Sequence, residues 1–198
     1  MTEPGSGSGG AIQRVLASGI AACVDAARVG ADHAATPCGD WTVRDLVRHL
    51  EVVAGSNVLW TSAALGGRVR RALSDGDQDA FNDEMLERLP DRTTAEHLDR
   101  FADLAADHIR LVAATATLPM TELGDGRALT AEEHAGLVAL EWHVHAWDLA
   151  RSNDHSHLPE ADDVAVLIDA WATADPVAAA DLDLPTWTGL LRALGRRP

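Results

Sequence analysis

Two segments of the chain carry side chains of the kinds that bind metal ions. They are residues 45–49, which read DLVRH, and residues 141–149, which read EWHVHAWDL. On a helix, Glu141 and His145 are four residues apart and share one face, so both can reach a single ion. With His49 from another helix, the set has two imidazoles and one carboxylate. Three protein ligands leave a fourth position open for water, a thiolate or a substrate, as in catalytic zinc sites.

Helix geometry separates these candidate ligands from their neighbours. His143 lies about 200° around the helix axis from Glu141, so it faces away and packs or meets solvent. His134 shares the stripe of Glu141 but lies about 10 Å along the axis, where it can line a pocket wall without binding the same ion. Asp148, three residues after His145, can orient that imidazole or make a hydrogen bond at the helix end.

Structural roles for the same residues stay open at this point. A histidine such as His49 on a half-buried helix face often packs in a core. Glu141 and His145 can also form a solvated surface pair. Apolar residues surround them, however, and desolvation of the pair would then require a partner. These apolar residues are Val138, Leu140, Val144 and Leu149.

Other conspicuous residues favour simpler assignments. Trp147 is expected in the core, and His155 and His157 lie in a polar loop where exposure is expected. A group of arginines follows the second predicted helix and is most simply a solvated face, with anion binding as the alternative. Its members are Arg68, Arg70 and Arg71.

Apolar periodicity predicts four long helices over residues 11–29, 42–65, 93–112 and 131–151. Three of their starts combine a threonine N-cap with an acidic residue at the third helical position, the pattern of a capping box. These pairs are Thr42 with Asp45, Thr93 with Glu96, and Thr130 with Glu133. Four long helices favour an all-α, antiparallel four-helix bundle, in which metal sites lie between facing helices.

The remaining segments are shorter. Residues 68–92 are irregular, with a short helix at 81–89, and form the best candidate for a lid. A loop containing residues 124–126 precedes the fourth long helix, and short extra helices follow from Pro159 through Trp171 and over 186–194. No run alternates well enough to predict a strand.

Composition excludes several functions. The chain has 198 residues, with 31 acidic and 16 basic side chains and a net charge of −15, so nucleic acid and anionic membranes are not expected partners. All basic residues are arginines, and the chain has no tyrosine. Chemistry that depends on a lysine Schiff base, a lysine base or a phenol is therefore excluded.

We expect residues 1–10, rich in glycine and serine, to form a flexible tail and residues 11–198 to form one helical domain. Neither a membrane-spanning run nor a secretory signal is evident, which favours the cytoplasm.

The two cysteines, Cys23 and Cys38, are expected to be separate reduced thiols. Cys38 precedes the second helix by a tight turn, so we expect it at the bundle end, away from the ion and without a role as nucleophile.

The chain resembles the mycothiol-dependent maleylpyruvate isomerase family, one of the DinB-like metal-binding helical bundles. Residues 36–50, which read TPCGDWTVRDLVRHL, and residues 141–150, which read EWHVHAWDLA, carry the resemblance. The closing residues 191–198, LRALGRRP, are similar to the end of a single-domain branch of this family.

The resemblance implies that residues His49, Glu141 and His145 hold a divalent metal, usually zinc, with mycothiol or a related thiol as cosubstrate. It implies an enzyme that presents the thiolate to a small electrophile, and a possible homodimer. Two alternatives use the same site. One is a metal-hydroxide hydrolase or lyase, and the other is a non-catalytic protein that binds a metal or a small ligand.

Overall fold

A computed structural model of the chain describes residues 8–180 and 186–198. Within these ranges the chain forms eight helices and three short strands. The helices are α1 (Ser8–Val29), α2 (Val43–Leu65), α3 (Asp75–Arg88), α4 (Thr94–Thr115), α5 (Ala131–Arg151), α6 (Ala161–Ala174), α7 (Pro176–Ala180) and α8 (Trp187–Ala193). The strands are β1 (Arg70–Arg71), β2 (Pro119–Glu122) and β3 (Ala128–Thr130).

Four long helices form the body of the molecule. Helix α1 packs mainly against α5, and α2 packs mainly against α4, while contacts of α1 with α4 and of α2 with α5 complete the bundle. Their apolar faces meet in one core that includes Leu16, Leu46, Phe101 and Trp142, all fully buried. None of the described helices combines the length and the apolar character needed to cross a membrane. The predicted all-α bundle with short C-terminal helices is confirmed.

The three predicted capping boxes are all present. At the start of α2, the Thr42 side chain accepts a hydrogen bond from the Asp45 backbone, and the Asp45 side chain accepts one from the Thr42 backbone. Equivalent pairs begin α4 and α5. Each box satisfies two backbone N–H groups that have no partner within the helix, which sets the residue at which the helix begins.

Several predicted boundaries were wrong. Helix α1 begins at Ser8, three residues before the predicted start, whereas residues 1–7 of the predicted tail lie outside the described residues. Helix α3 has 14 residues and begins after the N-cap Ser74, so the segment 68–92 is more ordered than predicted. The short helix α7 follows α6 closely and had no separate signal in the sequence.

The absence of a sheet was also a wrong prediction. Strands β2 and β3 form an antiparallel hairpin in the segment predicted to be a loop, and β1 pairs in parallel with β2. Gly126, with φ of 84°, takes the left-handed conformation needed at the hairpin turn. The strands have two to four residues, too few for alternation to be visible in the sequence. Their structural effect is to fix β1, and thus Arg70, against the bundle.

Candidate metal centre

Three side chains converge where α2 faces α5. His49 comes from α2, and Glu141 and His145 come from successive turns of α5. The His49 Nε2 atom lies 3.1 Å from Glu141 Oε1, and the His145 Nε2 atom lies 3.9 Å from the same oxygen. One ligand atom from each residue lies within 4.8 Å of the other two. The structure therefore brings together the three residues predicted to be ligands.

The spacing of these atoms fits a divalent ion. Tetrahedral ligands about 2.1 Å from zinc lie roughly 3.4 Å from one another. The two measured separations, 3.1 and 3.9 Å, lie on either side of that spacing. Both imidazoles are buried, whereas 35% of the Glu141 side chain is exposed. The two imidazoles are thus shielded by the surrounding protein, whereas the site is accessible to solvent beside the Glu141 carboxylate.

A chain of contacts orients His145. Its Nδ1 atom lies 3.0 Å from Asp148 Oδ2, a carboxylate oxygen that accepts a hydrogen bond from Nδ1–H. The lone pair of a neutral His145 therefore lies on Nε2, which faces Glu141. Arg196, near the end of the chain, donates to both oxygens of Asp148 at 2.7 and 3.2 Å. The predicted orienting role of Asp148 agrees with this geometry, and metal sites commonly use such outer partners.

The protonation states also suit metal binding. Burial opposes ionisation of Glu141, but the hydrogen bond from His49 and the nearby imidazoles outweigh it and lower the pKa of the carboxyl group. Burial lowers the pKa of His145, and the hydrogen bond to Asp148 opposes this shift only in part. At neutral pH the pair therefore supplies a carboxylate and a neutral imidazole, the forms that ligate metals.

The position predicted for Cys38 was wrong. Its Sγ atom lies within 4.8 Å of a ring nitrogen of His145 and a carboxylate oxygen of Asp148. The turn before α2 folds back, with a hydrogen bond from the Thr36 backbone N–H to the Trp41 carbonyl, and this places the turn beside the cluster. Counting residues along α2 could not show that reversal. The Cys38 thiol is therefore a neighbour of the site, on the Asp148 side of His145.

The other histidines of the region take the places expected of bystanders, with one exception. His143 is buried and its Nε2 lies 3.0 Å from the Val15 carbonyl, so it packs against α1. His155 is exposed, as predicted, but His157 is not. Its ring stacks on His143, with 2.8 Å between His143 Nδ1 and His157 Nε2. Trp147 is buried in the core.

Two cavities meet at Glu141. One, of about 200 Å³, is lined by Glu141 and His134 from α5, by residues of α2 and by three residues of the segment 68–92. The other, of about 280 Å³, is lined by Glu141, His145 and Arg196 together with apolar side chains of α5 and Leu194. A larger cavity of about 540 Å³ lies between α1, α5 and α6 and includes none of the three candidate ligands.

The segment 68–92 packs on the same side of the bundle as the candidate ligands, as the lid prediction requires. Arg70, Gln78 and Asn82 all line the smaller cavity beside Glu141. Arg68 and Arg71 are exposed, so the solvated-face interpretation holds for these two arginines. It was wrong for Arg70, which turns inward. Opening and closing of the segment stays a prediction.

A family match agrees with this geometry. Residues 14–150 match the model of the family described as mycothiol maleylpyruvate isomerase N-terminal domain. The chain belongs to this family. The matched range includes His49, Glu141 and His145, so the mycothiol maleylpyruvate isomerase N-terminal domain covers the whole candidate site except Arg196. No curated protein and no solved structure matches the chain.

Sequence reasoning missed residues that reach the site from elsewhere in the chain. Arg196 contacts Asp148 across 48 positions, and nothing in its spacing indicates this. The Trp41 ring lies against His49, with 4.8 Å between ring centroids. The only usable signal was the resemblance of the closing residues, which identified the segment but not the role of Arg196.

Proposed function

We propose that this chain is an enzyme that binds a divalent metal ion, with zinc as the first expectation, through His49, Glu141 and His145. In this proposal the enzyme activates a low-molecular-weight thiol such as mycothiol for transfer to a small electrophile. The observation that carries the proposal is the convergence of two imidazoles and one carboxylate at ligand spacing beside two cavities. Membership of a mycothiol-related family supports the choice of thiol.

The metal would supply one piece of chemistry, since a coordinated thiol loses its proton at neutral pH and is held as a thiolate. The residues of the chain prepare the site for this. Asp148 keeps the His145 lone pair on Nε2, and Arg196 holds Asp148 in place. Glu141 adds a negative charge to the ligand set. Because coordination would deprotonate the thiol, the protein would not need a strong base for that step. The buried His49 ring and the partly buried Trp41 ring that contacts it shield the protein side of the site from water.

The two cavities at Glu141 suit a reaction with two substrates. The larger of them has mostly apolar walls and includes His145, whereas the smaller has polar amide and arginine side chains. A thiol and an electrophile can therefore approach the same ligand set from different directions. A site for one substrate and water would need only one of these spaces.

The test is titration of cobalt-substituted protein with a soluble thiol. We expect charge-transfer absorption typical of a sulfur ligand when mycothiol or N-acetylcysteine is added, and no such change with serine as the oxygen analogue. The His49→Ala variant should lose cobalt binding and the spectral response. A matched control is His155→Ala, which removes an exposed histidine and should retain both.

The alternatives predict different results. A hydrolase or lyase that uses water would leave the cobalt spectrum unchanged by thiol and would turn over simple esters or amides. Cobalt binding with neither response would favour a non-catalytic metal protein. Absence of stoichiometric metal binding would overturn the proposal itself. The homodimer and the cytoplasmic location stay predictions, and sedimentation equilibrium tests the first of them.

A further inference from the structure

Arg70 is a half-buried cation with no acidic partner among the described residues. Its guanidinium carbon lies 3.6 Å from the centroid of the Trp60 ring, a cation–π contact. Its Nε atom is buried and makes no hydrogen bond within the described residues. No ion pair of Arg70 occurs there either, whereas the adjacent Arg71 pairs with Glu122. The inward-facing arginine thus has an unused donor.

This arrangement is unusual for such an acidic chain. With 31 acidic side chains, the protein supplies carboxylates to arginines at several other places, including Arg92 with Glu51 and Arg196 with Asp148. Burial lowers the pKa of Arg70 to about 10, which still leaves the group charged at neutral pH. A half-buried cation whose buried Nε–H has no acceptor costs free energy unless an anion pairs with it. None of the described residues supplies that anion, so a bound small molecule is expected to provide it.

The space in front of Arg70 is the smaller cavity beside Glu141. Polar side chains of α2 and α3 surround it, among them Asn57, Gln78 and Asn82. Its volume of about 200 Å³ is below the roughly 300–1,000 Å³ of pockets for drug-sized ligands, so only a small molecule fits.

One wall of this cavity is held rigid by a hydrogen-bond chain. His134 Nε2 lies 2.9 Å from Asn57 Oδ1, and the Asn57 amide donates to the Val53 carbonyl at 2.9 Å. The amide oxygen must therefore accept, so His134 carries its proton on Nε2. Burial, followed by the charge of Arg70, lowers the pKa of His134 to about 3 and keeps it neutral. The wall contributes polarity without a second cation, and among the described lining residues the positive charge comes from Arg70.

We propose that Arg70 binds the carboxylate of a small electrophilic substrate in this cavity, beside the candidate metal ligands. A planar guanidinium with its Nε edge free matches a planar carboxylate through two parallel hydrogen bonds. Stacking on Trp60 fixes the plane of that edge. The identity of the anion as a substrate rests on the proposed function, but its binding to Arg70 does not.

The test uses fumarate as a small dicarboxylate and fumaramide as its uncharged analogue, titrated by ligand-observed NMR into chelator-treated, metal-free protein. We expect fumarate to bind and fumaramide to bind at least about tenfold more weakly, because a hydrogen bond to a charged group is lost. Arg70→Gln should weaken fumarate binding by a similar factor. Arg71→Gln removes an adjacent exposed arginine and should change it by no more than about twofold.

The comparison of fumarate with fumaramide needs no variant, so the inference stays testable if Arg70→Gln does not fold. Equal binding of the two compounds, no binding of fumarate, or an equal loss in both arginine variants would overturn it. The metal content of the protein is measured separately, because it tests the proposed function and not the Arg70 site. Protein that binds fumarate but takes up no metal would keep the Arg70 site and overturn the proposed function, while metal binding without fumarate binding would do the reverse.

Discussion

Helix α2 contributes to two pairs of glutamate and histidine, and the two differ in what surrounds them. In the first, His49 of α2 lies 3.1 Å from Glu141 of α5. In the second, Glu51 of α2 lies 2.5 Å from Nδ1 of His97 in α4. The α2 residues are only two positions apart, so one helix directs similar pairs towards two different neighbours.

The second pair is closed by an arginine. One oxygen of Glu51 contacts His97, the other accepts from Arg92 Nη1 at 3.0 Å, and the Glu51 side chain is only 6% exposed. Glu141 has no arginine partner among the described residues and is 35% exposed. It has a second imidazole, His145, at 3.9 Å in place of the arginine.

The comparison shows what distinguishes a ligand set from a structural pair of the same residue types. Around Glu51 each carboxylate oxygen already has a partner, His97 or the cation Arg92, and the side chain is buried, so an added metal ion would have to displace these contacts. Around Glu141 the neighbours are the imidazoles of His49 and His145, whose ring nitrogens are metal-ligating atoms, and cavities lie beside them. The proposal of metal binding therefore applies to the first pair, whereas the second pair joins α2 to α4.

The largest effect is expected from removal of a ligand at the first pair. His145→Ala should lower metal affinity by more than about a hundredfold, since changes to outer partners alone cost about 10–100-fold. Metal analysis of purified protein, with competition by a chelator, measures this. His97→Asn is the matched control at the second pair and should retain full occupancy. Normal metal content after His145→Ala would remove the basis for assigning different roles to the two pairs.

The next effect belongs to the second pair. Glu51→Gln should lower the free energy of unfolding by about 2 kcal/mol, because charged hydrogen bonds from His97 and Arg92 are weakened in a buried place. Urea unfolding of metal-free protein measures it without a contribution from bound ion. Metal stoichiometry should be unchanged. Loss of metal together with unchanged stability would mean that the assignments of the two pairs are reversed.

Local rules explain how much of this arrangement was predictable. The starts of α2, α4 and α5 followed from Thr-x-x-Asp/Glu patterns, because a capping box is complete within four residues. Glu141 and His145 share a face by helical spacing alone. The pairing of His49 with them needed the family resemblance, since periodicity does not determine how two helices align along each other.

The features that were missed depend on tertiary contacts. Arg196 reaches Asp148 from the far end of the chain, and the backward turn before α2 brings Cys38 to the same place. The two-residue strand β1 turns Arg70 inward beside the exposed Arg68 and Arg71. Each of these contacts depends on a reversal of the chain or on a very short pairing of strands, and neither feature produces a periodic pattern in the sequence.

A smaller effect is expected from a change at Arg196, which supports the first pair indirectly through Asp148 and His145. Arg196→Gln should lower metal affinity by about tenfold, near the low end for outer partners, because Asp148 loses its two hydrogen bonds from Arg196 and orients His145 less firmly. Arg197→Gln removes the adjacent exposed arginine and is the matched control. Equal affinities in the two variants would show that His145 is oriented without help from the C-terminal residues.

The smallest effect is expected at Cys38, although it lies beside the cluster. Its sulfur groups with His145 and Asp148 and not with His49 and Glu141, so it lies outside the set of three candidate ligands. Burial, then Asp148, raises the pKa of the thiol, so the protonated form is favoured. Cys38→Ser should therefore keep thiol-transfer activity within about threefold, the size of a change near half a kcal/mol, while His49→Ala abolishes it. Loss of activity in Cys38→Ser with activity retained in His49→Ala would mean that the protein, and not a soluble thiol, supplies the sulfur.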